Sequence, residues 1–411
     1  MDSQALASAA SSPPGATLDL VVVGGGGHVG LPLSLAFAQT GLRVGIYDIS
    51  QPTLDAIAAG TMPFREVGAP ELLTQMLAAG RLELSSSPSM LGRAENVILV
   101  IGTPIDEFMH PSMAIFENVA DQIAAHLNPG TLVILRSTVY PGTSQYLSRA
   151  LEARGANVSV AFCPERIAEG NALEELRHLP NIIGADDVEA GDRTEALFTR
   201  LSNATVRTTT REAELAKLFT NSWRYLKFAI ANQFLVMAHT AGIDYGHVLE
   251  AMRTGYPRAA DVPSPGFAAG PCLLKDTMQL AALATDHFAL GHAAVQANEG
   301  LPAFVVDAIK RRYGALHGRT VGLMGMSFKP ESDDVRSSLS YKLRKLLTWE
   351  GATVLCTDPY VQDARLVPLD KVMAEAEILV LGVPHRAYKE MDLTGREVVD
   401  IWGALGQGIS I

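Results

Sequence analysis

The 411-residue chain has only three cysteines, Cys163, Cys272 and Cys356, an odd and sparse set. That excludes a disulfide framework and a cysteine-based metal cluster, and it fits a reducing cytoplasm. A basic surplus is also missing: Asp and Glu outnumber Lys and Arg by 44 to 33, a formal net charge of −11. General affinity for nucleic acid or for an anionic membrane is excluded, and any anionic ligand has to be held by a local basic pocket. No run of about 18 uninterrupted apolar residues occurs. The nearest, 228–241, is broken by Asn232, Gln233 and His239 and reads as a buried helix. Charged residues are few, 19% against 48% hydrophobic, the composition of a globular protein with large buried sheets. This length suggests two or three domains. Residues 1–17 are rich in Ala and Ser, carry Pro13-Pro14 and lack a basic stretch followed by an apolar one; they read as a disordered tail.

What is present begins with glycine. The apolar, β-branched run 18–23 passes into Gly24-Gly25-Gly26-Gly27-His28-Val29-Gly30 and then a helical pattern over 31–40. The spacing G-x-G-x-x-G falls on Gly25, Gly27 and Gly30, which allows a tight turn and brings backbone amides and a helix N-terminus up to a pyrophosphate. Alone this fingerprint is weak. It gains weight because a second strand, 43–47, ends in Asp48, spaced for a carboxylate that hydrogen-bonds ribose hydroxyls and repels a 2′-phosphate. NAD is thus expected rather than NADP.

Further strands at 96–101, 131–135 and 158–162 end at Gly102-Thr103-Pro104, Arg136-Ser137-Thr138 and Cys163-Pro164-Glu165. These are C-terminal strand ends, where open parallel sheets bind ligands, so Thr103, Thr138 and Glu165 should face one crevice. The two threonines are equally readable as turn caps, whereas a carboxylate beside an arginine is seldom needed for packing. Cys163 reads as a core residue. A capping-box pattern, Thr209-Thr210-Arg211-Glu212, then opens a long helix to about His239 that joins two sheet domains. Lys217 and Asn221 share one face of it, a cation and an amide able to hold a developing oxyanion, though a helical lysine taken alone is usually solvated.

The stretch 266–276, GFAAGPCLLKD, is where the chemistry is expected. Pro271 suits a first helical position, Cys272 then sits in the first turn where a thiolate is favoured, and Asp276 lies one turn on along the same face. A buried, inert cysteine is the ordinary alternative. From Arg319 a second sheet is expected, with strands at 320–324, 354–357, 378–381 and 397–401 and a helix over 338–350. Its strand-glycine-helix opening echoes the first, with Lys329 and Arg336 as phosphate-facing candidates. The expected fold is α/β: two Rossmann-like parallel-sheet domains joined by a long central helix, divided as 18–208, 209–312 and 313–411.

Seven motifs in this order resemble the UDP-glucose/GDP-mannose dehydrogenase family across nearly all of 18–401. They are GGGHVGLP from Gly25, Gly102-Thr103-Pro104, STVYPGT from Ser137, Pro164-Glu165-Arg166, Glu214 to Lys217 with Asn221, Cys272 to Asp276, and Phe328-Lys329-Pro330 with Asp334 to Arg336. The resemblance implies a four-electron oxidation at C6 of a nucleotide hexose, alcohol to carboxylate, with two NAD consumed. It implies that Asp276, through a water and with Lys217 nearby, helps remove the hydroxyl proton, and that Cys272 traps the aldehyde as a thiohemiacetal that becomes a thioester. Lys217 and Asn221 steady the negative oxygen, Glu165 acts on the hydrolytic water, and Thr138 orders that water. To the cofactor it assigns Gly25, Gly27, His28, Val29, Gly30, Asp48, Thr103, Ser137, Thr138, Lys275 and Arg336. To the sugar nucleotide it assigns Glu165, Arg166, Ile167, Lys217, Asn221, Arg258, Phe267, Ala268, Gly270, Phe328 and Lys329. Arg258 is similar to an arginine that reaches the neighbouring subunit's sugar, which implies a homodimer or higher oligomer built on the long helix.

The chain departs from the family's commoner G-x-G-G-x-C before the cysteine, carrying Phe267-Ala268-Ala269-Gly270-Pro271 instead. The segment 163–171, CPERIAEGN, is more similar to members that oxidise UDP-N-acetylhexosamines, UDP-GlcNAc or UDP-ManNAc, than to those using UDP-glucose, which is the alternative. A two-electron hydroxyacid dehydrogenase and a non-catalytic sugar-nucleotide sensor are the rival classes.

Overall fold

The computed structural model of the protein describes residues 17–103, 112–267, 270–284, 287–405 and 411. The expected tail (but for Thr17), Pro104 and Ala268 therefore lie outside the described residues. The chain divides into two compact units, Met1–Leu218 and Phe219–Ile411.

The first unit is built on an eight-stranded sheet in the order β3-β2-β1-β4-β5-β6-β7-β8. Its strands are β1 Leu18–Val23, β2 Val44–Tyr47, β3 Leu82–Ser85, β4 Ala94–Leu99, β5 Leu132–Leu135, β6 Ser159–Phe162, β7 Asn181–Gly184 and β8 Thr205–Thr208. β1 runs parallel to both neighbours, with Val22 opposite Ile46 and Ile98. Alternate residues feed opposite faces: Leu20 and Val22 enter one apolar cluster, Val21 and Val23 the other. Burial on both faces is why these strands read as continuous apolar runs. The order turns back at β1, since β2 and β3 lie on one side of it and β4 onward on the other, and ligands bind at such a switch point. The sheet is parallel except where β6 meets β7 antiparallel, at Phe162 and Gly184.

The second unit holds a four-stranded parallel sheet, β10-β9-β11-β12, from β9 Thr320–Met324, β10 Thr353–Thr357, β11 Ile378–Leu381 and β12 Glu397–Val399. β12 stops short of the expected 401 because the Asp400 carboxylate accepts hydrogen bonds from the Trp402 and Leu405 amides, turning the chain. Leu235, Leu301 and Val305 of the helical segment share one apolar cluster with Val321, Leu323 and Leu343, so the helices after Leu218 and this sheet have a common core across the expected boundary near 313.

The helix Thr210–Thr240 is 31 residues long and starts with the expected capping box. The Thr209 amide donates to Glu212 Oε2 at 3.0 Å and the Glu212 amide donates to Thr209 Oγ1 at 3.3 Å, satisfying two amides that the first turn would leave bare. The unit division falls inside this helix, after Leu218. Among the described residues no helix is long and apolar enough to cross a membrane.

Candidate active site

Residues 24–30 form a turn closed by backbone against backbone. Gly24 has φ +73°, and a Cβ there would stand 1.9 Å from the Val100 carbonyl oxygen. A Cβ on Gly25 would meet Val22 O at 2.8 Å, and one on Gly30 would meet Gly24 O at 2.4 Å. Only glycine fits these positions. Gly27 differs: it is exposed, and its Cβ would come no nearer than 3.6 Å to anything. Asp48 Oδ2 accepts from the Gly26 amide at 2.9 Å and Oδ1 from Ser50 N at 3.0 Å, fixing the carboxylate beside the turn. The helix Gly30–Gln39 begins behind it with no acidic residue in its first turn. This cradle fits a dinucleotide: a helix N-terminus free of negative charge for the pyrophosphate, and an oriented carboxylate for ribose hydroxyls. Val29 is the residue just before that helix, and the His28 ring stacks on Phe64 at 4.1 Å.

Thr103, Thr138 and Glu165 follow the ends of β4, β5 and β6. Thr103 Oγ1 donates to the Thr138 carbonyl at 2.7 Å. The Ser137 hydroxyl both accepts from Ile101 N and donates to Ile101 O, each at 2.8 Å, so it ties two strand ends together and keeps one acceptor lone pair. Glu165 is 8% exposed and takes two donors on each oxygen. Arg136 Nε and Nη2 reach Oε2 at 3.0 and 2.9 Å, and the Arg166 and Ile167 amides reach Oε1 at 2.6 and 2.9 Å. The partner cation is thus Arg136; Arg166 instead donates its side chain to Pro180 O at 3.0 Å. Burial by itself would lower the Arg136 pKa, but Glu165 and the Cys163 thiol outweigh it and hold it above the usual value. Cys163 is a core residue as expected, its thiol pushed up to about 11 by burial.

Two further carboxylates here have partners that the sequence does not show. Glu214 is buried and accepts from Gly142 N, Ser144 N and Ser144 Oγ, clamping the Tyr140-Pro141-Gly142-Thr143 turn onto the long helix. Glu66 accepts from the Gly170 and Ala172 amides at 2.8 and 2.7 Å, holding the loop that follows Glu165. Nothing local marks either one, because the partners lie 70 or more residues away.

In the second unit Cys272 is exposed and reduced. The helix behind it is Leu273–Ala284, and the Asp276 amide donates to the Cys272 carbonyl at 2.8 Å. Cys272 therefore stands just before the helix, which starts at Leu273 and not at the expected Pro271, two residues later. The reason is Gly270, whose φ of +110° turns the chain, with the Phe328 ring so close that a Cβ would come within 2.7 Å of it. The sulfur still stands at a helix N-terminus, where a thiolate is favoured.

Asp276 is fully buried, and its Oδ2 accepts from Asn221 Nδ2 at 2.5 Å, tying the cysteine helix to the long helix. Its Oδ1 accepts no hydrogen bond among the described residues; Lys275 Nζ stands 3.4 Å away, an ion-pair contact without hydrogen-bond geometry. A buried carboxylate oxygen in that condition is costly unless something with a proton to give comes to it. Lys217 lies one turn before Asn221 on the same helix and is half-buried.

The remaining candidates are more dispersed. Phe267 is buried in the second unit's core, its ring edge-on to Trp402. Lys329 lies over the Phe328 ring at 5.6 Å. Arg336 is exposed and chelates Asp334, and exposed Arg258 lies over Tyr256 at 5.3 Å.

Three models of one family match the chain in succession. These are the UDP-glucose/GDP-mannose dehydrogenase family NAD binding domain over residues 19–202, its central domain over 211–300 and its UDP binding domain over 322–407. Among curated relatives, a UDP-N-acetyl-D-mannosamine dehydrogenase of Pyrococcus horikoshii is 28% identical over 90% of this chain and 91% of its own. A UDP-glucose 6-dehydrogenase of Bacillus subtilis is 29% identical over 82% and 79%. A solved UDP-glucose dehydrogenase from Pyrobaculum islandicum superposes with a TM-score of 0.88 at 28% identity, covering 96% of this chain and 97% of that one. With the dinucleotide cradle, the cysteine at a helix start and a second parallel sheet where the UDP binding domain matches, the chain belongs to the UDP-glucose/GDP-mannose dehydrogenase family, whose members are NAD-dependent oxidoreductases.

Proposed function

We propose that this dehydrogenase oxidises the C6 alcohol of a UDP-N-acetylhexosamine, UDP-GlcNAc or UDP-ManNAc, to the uronate in two steps without releasing the aldehyde. The segment 163–171 and the UDP-N-acetyl-D-mannosamine dehydrogenase relative support the N-acetylated sugar; UDP-glucose is the second reading, supported by the Bacillus relative of similar identity. The three family models support a division of labour between an NAD domain at 18–208, a central segment at 209–312 and a UDP-sugar domain at 313–411. The work is cytoplasmic on this reading, with a product suited to polysaccharide synthesis.

The observation that carries the chemistry is the Asp276 oxygen that accepts no hydrogen bond among the described residues, one helical turn from an exposed thiol. Bound NAD, held by the turn at 24–30 and by Asp48, supplies the hydride acceptor. Asp276 accepts the C6 hydroxyl proton through a water, with Lys217 and Asn221 supplying donors to the oxygen as it gains charge. Cys272 adds to the aldehyde carbon, giving a thiohemiacetal whose oxidation leaves a thioester. Glu165, pinned by Arg136, and Thr138 orient the water that hydrolyses it.

Partners follow from the same reading. Phe219, Trp223, Ile230, Phe234 and Met237 are exposed at helical spacing along Thr210–Thr240, an apolar stripe that supports a second copy of the chain as its cover and hence a homodimer.

The test is NADH formation with UDP-glucose, UDP-GlcNAc, UDP-ManNAc, UDP-galactose and GDP-mannose. Two NADH per UDP-N-acetylhexosamine consumed is expected. One NADH per substrate points to the hydroxyacid-type rival, turnover confined to UDP-glucose to the second reading, and no turnover with any of them to the sensor.

A further inference from the structure

An exposed cysteine ahead of a helix is placed by the helix behind it and by the chain leading into it. That lead-in starts at Gly266, which is gripped from two sides within the second unit. On one side the Asn232 side chain pairs with its whole peptide edge: Oδ1 accepts from Gly266 N at 2.9 Å and Nδ2 donates to Gly266 O at 3.1 Å. Asn232 Nδ2 also donates to Asn298 Oδ1 at 2.9 Å, and Asn298 Nδ2 donates to the Tyr225 carbonyl at 3.1 Å. Both asparagines are buried, so each hydrogen bond is expensive to lose. The chain of donors also fixes which way both amides face.

On the other side stands Trp402. A Cβ on Gly266 would lie 2.3 Å from its ring, and Gly266 has φ +144°, a conformation that glycine tolerates and other residues rarely adopt. The indole is itself immobilised: Nε1 donates to the Leu381 and Gly382 carbonyls at the end of β11, and the Trp402 amide donates to buried Asp400 at the end of β12. Phe267 then packs its ring edge against the indole. The start of the lead-in, Gly266 and Phe267, is thus bolted to the long helix through Asn232 and to the edge of the second sheet through Trp402.

We propose that Asn232 and Trp402 are positioning residues for the Cys272 sulfur, and that together they decide whether the half-oxidised sugar is captured or lost. The inference rests on the reading of Cys272 as the group that captures the aldehyde. Capture needs the sulfur within bonding reach of one carbon, and a displacement of about 1 Å in such a geometry costs on the order of 100-fold in rate. The first oxidation makes no demand on the sulfur. Loosening either grip therefore separates the two halves of the reaction, whereas general loss of stability slows both alike.

The experiment uses the full chain with its preferred UDP-hexose, NAD and a hydrazide that traps free aldehyde. In Trp402→Leu and Asn232→Ala the aldehyde is expected in the trap, NADH per uronate rises above two, and acid formation falls by about tenfold or more relative to the first oxidation. Trp402→Phe keeps a ring against Gly266 and is expected to restore capture. Both steps slowed equally with no trapped aldehyde, or Trp402→Phe no better than Trp402→Leu, overturns the proposal. Iodoacetamide labelling without substrate provides a second readout, because Cys163 and Cys356 are buried and Cys272 is exposed. A labelling rate for Cys272 unchanged in both Trp402→Leu and Asn232→Ala also overturns it. If Cys272→Ala itself still makes acid, the reading of the cysteine fails, while the labelling result continues to judge the positioning.

Discussion

Glu165 and Asp276 are both buried carboxylates next to a cation, and they are held in opposite ways. Glu165 takes two donors on each oxygen, and Arg136 compensates its charge at 2.9 Å. Asp276 has one oxygen held by Asn221 and the other accepting no hydrogen bond among the described residues, with Lys275 in ion-pair contact at 3.4 Å. A carboxylate with donors on both oxygens is held in one orientation; one with an oxygen that accepts no hydrogen bond costs about 1–3 kcal/mol as it stands and has room for a donor carried by a water. The difference supports the proposed division of roles, Glu165 orienting a water and Asp276 accepting a proton.

The largest effect that sharpens this contrast is at the nucleophile. Cys272→Ala is expected to abolish uronate formation, measured by chromatography of the product, leaving a reaction that depends on Asp276 and not on hydrolysis. Asp276→Asn is next: kcat falls on the order of 100-fold or more, as for loss of a general base, with the larger effect on rate and the smaller on stability. Arg136→Met should do the reverse. It leaves Glu165 buried without its cation and is expected to cost about 3–5 kcal/mol by chemical denaturation. Glu165→Gln has a smaller effect on stability and mainly slows thioester hydrolysis, so a covalent adduct accumulates and is visible by intact mass. An Asp276→Asn enzyme that accumulates adduct while Glu165→Gln does not would exchange the two roles.

The smallest effect is on pH. Burial holds the Glu214 pKa above the usual glutamate value, so the folded chain binds its proton more tightly than the unfolded one, and that contribution to stability falls as pH rises from 4.5 through the folded pKa. Asp358 in the second unit is also buried, but hydrogen bonds from His385 and the Met326 amide overcome that and hold its pKa below 3.8. Its contribution is present above 3.8 and is lost as pH falls through the lower folded value. Glu214→Gln should remove the first slope and Asp358→Asn the second, read by unfolding at a series of pH values.

The parts of this molecule visible in its sequence are those whose cause is local. β1, β9 and β11 are apolar runs that end at glycine or another turn residue, and Thr209 and Glu212 sit three apart as a capping box must. β8 is TVRT with two exposed residues, so no alternation or apolar run marks it. The start of the cysteine helix was misplaced because Pro271 is a local signal, whereas Phe328 against Gly270 is a contact between residues 58 apart in sequence. In the site, Cys272, Asp276 and Asn221 were legible from spacing on helices. Arg136 as the partner of Glu165, Ser137 bonded to Ile101, and Asn232 under Gly266 were not, since a side chain's partner across the fold leaves no mark beside it in the chain.

The contrast between the two carboxylates is tested most directly by stopped-flow NADH formation in Cys272→Ala with and without Asp276→Asn. With the sulfur gone only the first oxidation remains, and the account predicts that adding Asp276→Asn slows it on the order of 100-fold. An unchanged rate would contradict the assignment of that proton to Asp276.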